Sequence, residues 1–316
     1  MKRFISLALA ALLALTAAGC AGTGKSGSES DGKLGVVATI FPAYDFAREV
    51  AGDAANITML LPPAAESHSY EPTPQDIITI QNCGVFIYVG GDSDEWVRGV
   101  LDSMDTSRMT IVTLMDCVDV VEEEIVAGME EEAGEEETGV PEYDEHVWTS
   151  PRNAKLIVRK LSAAFSGADA ENAGVYAQNT TAYLGKLDAL DAAFREVVDG
   201  AARRTIVFGD RFPFRYFTDA YGLDYAAAFP GCSTETEANP QTVAFLIDKV
   251  RDEHIPVVFH IELSNEKMAN TISEETGAKV LLLHACHNVS KDDFINGESY
   301  LSLMTRNVEA LREALK

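Results

Sequence analysis

Positive charge is scarce in this sequence: 25 Lys and Arg stand against 50 Asp and Glu, a formal net charge of −25 over 316 residues. Such a surface repels phosphate backbones, which excludes nucleic acid as a partner. Long apolar runs are scarce too. The longest lies in MKRFISLALAALLALTAAGC at the start of the chain, and it falls short of the roughly 20 residues that span a bilayer as a helix. Two hydrolase signatures are missing: no His-Glu-x-x-His segment and no Gly-x-Ser-x-Gly elbow occurs. A metallohydrolase would therefore have no identifiable general base, and an esterase no identifiable nucleophile.

What is present begins with an export signal. Lys2 and Arg3 precede the apolar run, and the small residues Ala17-Ala18-Gly19 end at Cys20. This reads as a signal peptide over residues 1–19 whose following cysteine looks like a bacterial lipoprotein processing site. Leu15 stands two positions further back than is common for such sites. Residues 20–34 then read as the lipidated cysteine and a flexible linker, AGTGKSGSESDGK in its composition. The expected location is outside the cytoplasm, with a lipid anchor in the bacterial cell membrane. There a disulfide is permitted, and Cys83, Cys117, Cys232 and Cys286 allow three pairings.

The chain is 47% hydrophobic, enough for a sizeable core. Short β-branched or apolar runs alternate with helical spacing: 34–41, 57–61, 84–89 and 110–114, then 204–209, 225–229, 256–262 and 279–285. Strands buried on both faces and separated by helices make parallel sheets. The expected fold is α/β in two lobes, each with a four-stranded, mainly parallel sheet flanked by helices. The lobes are assigned to residues 35–168 and 200–316, with a connecting helix at 169–199. In that helix Tyr176, Tyr183, Leu187, Leu190, Phe194 and Val197 form one apolar stripe, and Gly200 follows where a helix would stop. Residues 116–145 break the rhythm with fourteen acidic and no basic residues. They read as a mobile, solvated loop.

In open parallel sheets, sites form at the carboxyl ends of strands. His68 follows the run 57–61, and His146 follows the acidic segment. Asp210-Arg211, Glu262 and His287 follow three of the later runs. Imidazoles and carboxylates thus gather at one expected edge, and that donor set suits Zn²⁺ or Mn²⁺, leaning toward zinc. The prolines in LLPPAAESHSYEPTPQD stiffen the backbone on both sides of His68, as a preset ligand loop requires. His254 reads as solvated, His260 as packed in a strand, and His284 as either core or turn.

The segments ATIFPAYDFAREVAGD, LLPPAAESHSYEPTPQD, FIYVGGDSDEW, DEHVWTSPRNA, FRYFTDAYGL, TVAFLIDKVRDEHIPVVF and ETGAKVLLL resemble, in order, the zinc- and manganese-binding lipoproteins that feed metal to ABC importers. The resemblance implies two α/β lobes joined by a rigid helix, one metal ion in the cleft, a permease and ATPase as partners, and a monomer. It implies a binding protein rather than an enzyme. His68 and His146 match the family's first two ligand positions. The third position holds Arg211, which cannot bind a cation; either Asp210 substitutes, or Arg211 pairs with Glu262 and water completes the shell. The fourth position, counted from Tyr300, falls on Asn288, and the adjacent His287 is the better donor. The expected metal set is therefore His68, His146, His287 and Asp210, carrying zinc, with manganese as the alternative. Cys232 and Cys286 both follow second-lobe strands, so a bond bracing the His287 loop is expected. A surface adhesion lipoprotein and a metallohydrolase are the competing functions.

Overall fold

The computed structural model describes residues 32–129, 142–233 and 238–316. Cys20 with its leader, and the centre of the acidic run, lie outside the described residues. Residues 34–316 form one compact body.

The first sheet comprises β1 (Leu34–Ala38), β2 (Ala55–Met59), β3 (Val85–Tyr88) and β4 (Thr110–Thr113), ordered β2-β1-β3-β4. A short pair, β6 (Arg211–Phe212) and β8 (Phe229–Pro230), stands apart. The second sheet holds β5 (Thr205–Phe208), β7 (Asp224–Ala226), β9 (Val257–His260) and β10 (Lys279–Leu282), ordered β10-β9-β5-β7. Every pairing among these strands is parallel. Counted within each sheet, both follow the order 2-1-3-4 and change direction beside their first strand, where clefts open at strand carboxyl ends.

The two-residue period of a strand explains how the lobes join. Val36 and Ala38 of β1, Val85 and Ile87 of β3, Ile206 and Phe208 of β5, and Val257 and Phe259 of β9 all enter one shared core. Their alternates face outward. Val37 and Phe86 pack into a smaller cluster on the first sheet's far side, and Val207 and Val258 into another on the second.

The helices are α1 (Phe41–Ala51), α2 (Pro74–Gln81), α3 (Glu95–Asp102), α4 (Pro151–Ala168), α5 (Ala173–Asp199), α6 (Arg215–Tyr221), α7 (Pro240–Asp252), α8 (Lys267–Thr276), α9 (Lys291–Ile295) and α10 (Tyr300–Ala314). The connector α5 has 27 residues, about 40 Å at 1.5 Å per residue. Its apolar stripe is buried throughout, Tyr176 to Val197. It packs on α1 and α4 from the first half and on α10 from the second. A 3₁₀ turn, Ala170–Asn172, precedes it, where Asp169 accepts from Asn172 N and Tyr176 Oη. The expected strand at 225–229 divides between two sheets: β7 ends at Ala226, and Phe229 belongs to β8. Asp210 O accepts Ala228 N at 3.1 Å, which draws the chain toward β6.

The shoulders of the acidic run are docked rather than solvated. Glu122 bridges Tyr143 in antiparallel fashion. Val121 O accepts Asp144 N at 3.0 Å, and Glu123 Oε1 accepts Gly231 N at 2.8 Å. Among the described residues, no helix is long and apolar enough to cross a membrane.

Candidate metal centre

The loop carrying His68 is built locally. Beyond β2 the ladder continues, with Leu60 N donating to Ala38 O and Leu61 N to Thr39 O. Pro62-Pro63 then end it, because proline has no N–H to donate. Glu66 Oε1 accepts Ser67 N at 3.1 Å and His68 N at 3.4 Å, and Tyr70 N returns to Ser67 O. Thr73 and Asp76 close the loop as a capping box on α2.

His146 is fully buried between the docked acidic shoulder and α4. Asp144 Oδ1 accepts its backbone N at 2.7 Å and lies 3.1 Å from its Nδ1. A carboxylate only accepts, so Nδ1 carries a proton, and in the neutral ring Nε2 presents its lone pair. That Nε2 is buried without a hydrogen-bond partner. Gly231 lies against the ring: a Cβ there would stand 3.0 Å from His146 Cε1 and 3.0 Å from Phe212 O.

His287 follows β10. Glu262 holds that turn by accepting Ala285 N at 2.6 Å and His287 N at 2.8 Å. Cys286 adopts φ 61, a conformation uncommon for a side-chain-bearing residue. Trp148 stacks edge-on against the His287 ring at 4.9 Å, and its Nε1 donates to Ala285 O at 2.8 Å.

The three imidazoles converge. Ring centroids lie 4.6 Å apart for His146 and His287, 5.0 Å for His68 and His287, and 6.0 Å for His68 and His146. One nitrogen from each lies within 4.8 Å of the other two. Zinc–nitrogen bonds of about 2.0–2.1 Å bring such atoms to roughly 3.3 Å apart, a modest contraction. Glu145 is buried behind His68, its Oε1 3.5 Å from Nδ1 and its Oε2 accepting Ser93 Oγ at 2.6 Å. His146 thus has a carboxylate hydrogen-bonded at Nδ1, the arrangement that orients metal-ligating histidines, and His68 has one close to Nδ1 without a hydrogen bond.

Protonation follows these surroundings. Burial pushes His68 down to about 3, helped by the His146 and Arg211 charges. Burial, His146, His68 and Arg211 hold His287 well below the ordinary range. For His146 burial pulls downward, but Asp144, by charge and hydrogen bond, together with Glu145 and Glu123, keeps it above. Two neutral rings and one that readily takes a proton suit a divalent cation, which displaces that proton.

Asp210 is not brought into this cluster. Its Oδ1 accepts Arg211 N at 2.8 Å and its Oδ2 accepts Ile261 N at 3.2 Å. Arg211 pairs with Glu66 at 3.3 Å rather than with Glu262, whose carboxylate is taken by the His287 turn. Asn288 is a clamp: its Nδ2 donates to Pro62 O and Ala65 O, both at 2.8 Å. The expected Cys232–Cys286 bond is absent, and all four described cysteines are free thiols. Cys286 is enclosed beside His284, whereas the Cys232 amide belongs to the Glu123 contact. His284 is buried, accepting Cys286 N at 2.9 Å, while His260 is half-buried with Nδ1 3.0 Å from Ile261 O. Asp144, Glu145 and Trp148 escaped the sequence reading, although the run Asp144-Glu145-His146 already places two carboxylates beside a ligand.

The chain is 32% identical over 317 residues to the zinc-binding lipoprotein AdcA of Streptococcus pneumoniae serotype 4, covering 99% of this chain and 61% of that protein. The chain thus spans less than two thirds of that relative's length. It is 30% identical over 320 residues to the high-affinity zinc uptake system protein ZnuA of Bacillus subtilis, covering 99% and 98% of the two chains. Among solved structures, the metal-dependent lipoprotein YcdH of Bacillus subtilis superposes with a TM-score of 0.77 at 28% identity, over 90% of this chain and 100% of that one. The Zn(II)-bound ZnuA-like domain of Streptococcus pneumoniae AdcA superposes with a TM-score of 0.74 at 29% identity, over 90% and 99%. A family profile described as zinc-uptake complex component A, periplasmic, matches residues 36–314, and the chain therefore belongs to the ZnuA family.

Proposed function

We propose that this chain captures Zn²⁺ outside the cytoplasm, at His68, His146 and His287, and passes it to the permease and ATPase of an ABC importer. The observation that carries the reading is the convergence of three imidazoles, one of them with a buried Nε2 that has no hydrogen-bond partner. Buried polar atoms ordinarily have partners, and a cation supplies the missing one. Three nitrogen donors favour zinc over manganese, which prefers oxygen. Two of the rings, His68 and His146, are backed by carboxylates, so little orientation remains to be lost when the ion arrives. Transport rather than hydrolysis follows from family membership, and the chain acts as a monomeric binding component. Tethering through lipid on Cys20 is part of the reading, supported by the leader and by relatives named as lipoproteins.

The test is calorimetric titration of metal-free protein, residues 21–316, with Zn²⁺ and Mn²⁺, beside His68→Ala and His287→Ala. One tight zinc site per chain, weakened strongly in both variants, is expected. No stoichiometric zinc binding, or zinc binding indifferent to both substitutions, would overturn the proposal.

A further inference from the structure

Carboxylates stand around the three histidines, and most are held by other groups; Glu123, whose charge acts on His146, accepts the amides of Gly231 and Cys232. Asp144 is turned to His146 N and Nδ1. Glu145 is buried, with Oε2 accepting from Ser93 Oγ and Oε1, which has no hydrogen-bond partner, 3.5 Å from Nδ1 of His68. Asp210 and Glu262 each accept two backbone amides. Glu66 differs: it sits on the His68 loop with its side chain 47% exposed, and its charge acts on the His68 ring. Its Oε1 makes long contacts to Ser67 N and His68 N, while its Oε2 is drawn across the cleft to Arg211.

Arg211 is itself fixed. Its side chain is 14% exposed, its Nη1 donates to Ser233 O at 3.2 Å and its Nη2 to Glu66 Oε2 at 3.3 Å. A guanidinium keeps its proton under all ordinary conditions and never serves as a metal ligand. Its position at the exit of β5 therefore supplies no donor and occupies Glu66, an exposed and so adaptable oxygen donor on the His68 loop.

We infer that Arg211 is a specificity-determining residue: by holding Glu66 away, it keeps the site a three-nitrogen set and so discriminates against Mn²⁺. The inference rests on the zinc-capture reading. Divalent affinity for nitrogen sites is lowest for manganese, which recovers binding through carboxylate oxygen. Zinc needs only four ligands, and three imidazoles with a water fill its shell. Freeing Glu66 thus helps manganese far more than zinc.

The experiment is paired titration of Zn²⁺ and Mn²⁺ into wild type, Arg211→Ala, Glu66→Gln and the double variant, with the spin-resonance spectrum of bound Mn²⁺ as a second readout. In Arg211→Ala the Mn²⁺ association constant is expected to rise at least about tenfold relative to zinc, with a changed Mn²⁺ spectrum. The double variant is expected to lose that gain. Glu66→Gln alone, which keeps Arg211, is expected to leave the zinc-to-manganese ratio unchanged. An equal rise for both metals, or a gain that survives in the double variant, would mean that only the positive charge matters, and would overturn the inference. So would an unchanged manganese affinity in Arg211→Ala. If that variant fails to fold, a shifted metal ratio in Glu66→Gln shows that the carboxylate already ligates, which overturns the inference equally. Wild type that binds no zinc at all sinks the functional reading instead, so the two failures are distinguishable.

Discussion

Asp144 meets His146 twice, through the backbone amide and through Nδ1, and this pair decides how the centre responds to pH. A metal ion needs the neutral ring. Because Asp144, Glu145 and Glu123 keep His146 above its ordinary value against the pull of burial, the metal-free ring takes up a proton more readily than an ordinary imidazole. His68, at about 3, and His287, well below the usual range, hold none. Zinc affinity is therefore expected to fall about tenfold per pH unit below the His146 value, the signature of one displaced proton rather than three. In Asp144→Ala, affinity drops about 10- to 100-fold because the ring loses its orienting partner. The pH slope flattens as His146 loses the carboxylate that favours its proton. Titrations from pH 5.5 to 8 check both; a variant with unchanged affinity and slope would refute the role. His68 and His287 stand out in the sequence because each follows a strand, whereas His146 is reached only past the acidic run that follows β4. Asp210 was misleading for a geometric reason: its carboxylate turns back onto the amides of Arg211 and Ile261, and no residue count shows which way a side chain turns. The Arg211–Glu66 pair spans 145 positions between lobes, beyond the reach of local pattern.

At the scale of elements, the turn from β3 into α3 shows what burial costs. Asp94 stands at the N-terminus of α3, and its Oδ2 accepts Val89 N at 2.5 Å and Gly90 N at 3.3 Å. Burial dominates and pushes its carboxyl up to about 7; the two amides oppose this and the Glu145 charge adds to it. The folded value lies above the unfolded one, so its stabilising contribution is complete in acid and is lost as pH rises through about 7. Wild type is expected to lose stability relative to Asp94→Asn between about pH 4 and 7, by on the order of a few kcal/mol. Asparagine keeps an oxygen acceptor for both amides without a charge. Urea unfolding of metal-free protein at pH 5 and pH 8 measures this, and an identical difference at both would count against it. Elements with strong periodicity were legible: the four runs of the first half, three of the second, and the stripe of α5. What sequence concealed were two-residue strands such as β6 and β8, too short to show a period, whose pairing is extended by the long-range bond from Ala228 N to Asp210 O. The docking of the acidic shoulders was hidden likewise, since its partners, Tyr216 and Gly231, lie in the other lobe.

For the molecule as a whole, the question is whether metal arrival closes the cleft or finds it closed. Contacts between the halves are already made: Asn288 to Pro62 and Ala65, Ala64 N to Val289 O, Trp148 Nε1 to Ala285 O, Tyr300 Oη to Trp148 O and Tyr300 N to Asp45. The helix α5 lies along elements of both halves, so bending it would disturb packing over its whole length. Zinc is thus expected to enter with side-chain adjustment and little lobe motion. Small-angle scattering from metal-free and zinc-loaded protein should give the same radius of gyration, while the melting temperature rises, since zinc at 100 times its Kd adds about 2.7 kcal/mol. Asn288→Ala removes two bonds across the cleft, each contributing about 0.5–1.5 kcal/mol, and leaves all three imidazoles in place. Its metal-free form is expected to scatter as a larger particle and to bind zinc more weakly, because the ion must then draw the His287 loop back onto the His68 loop. If wild type itself contracts on loading, the clamps seen here close only around metal, and Asn288 then contributes to the loaded state alone.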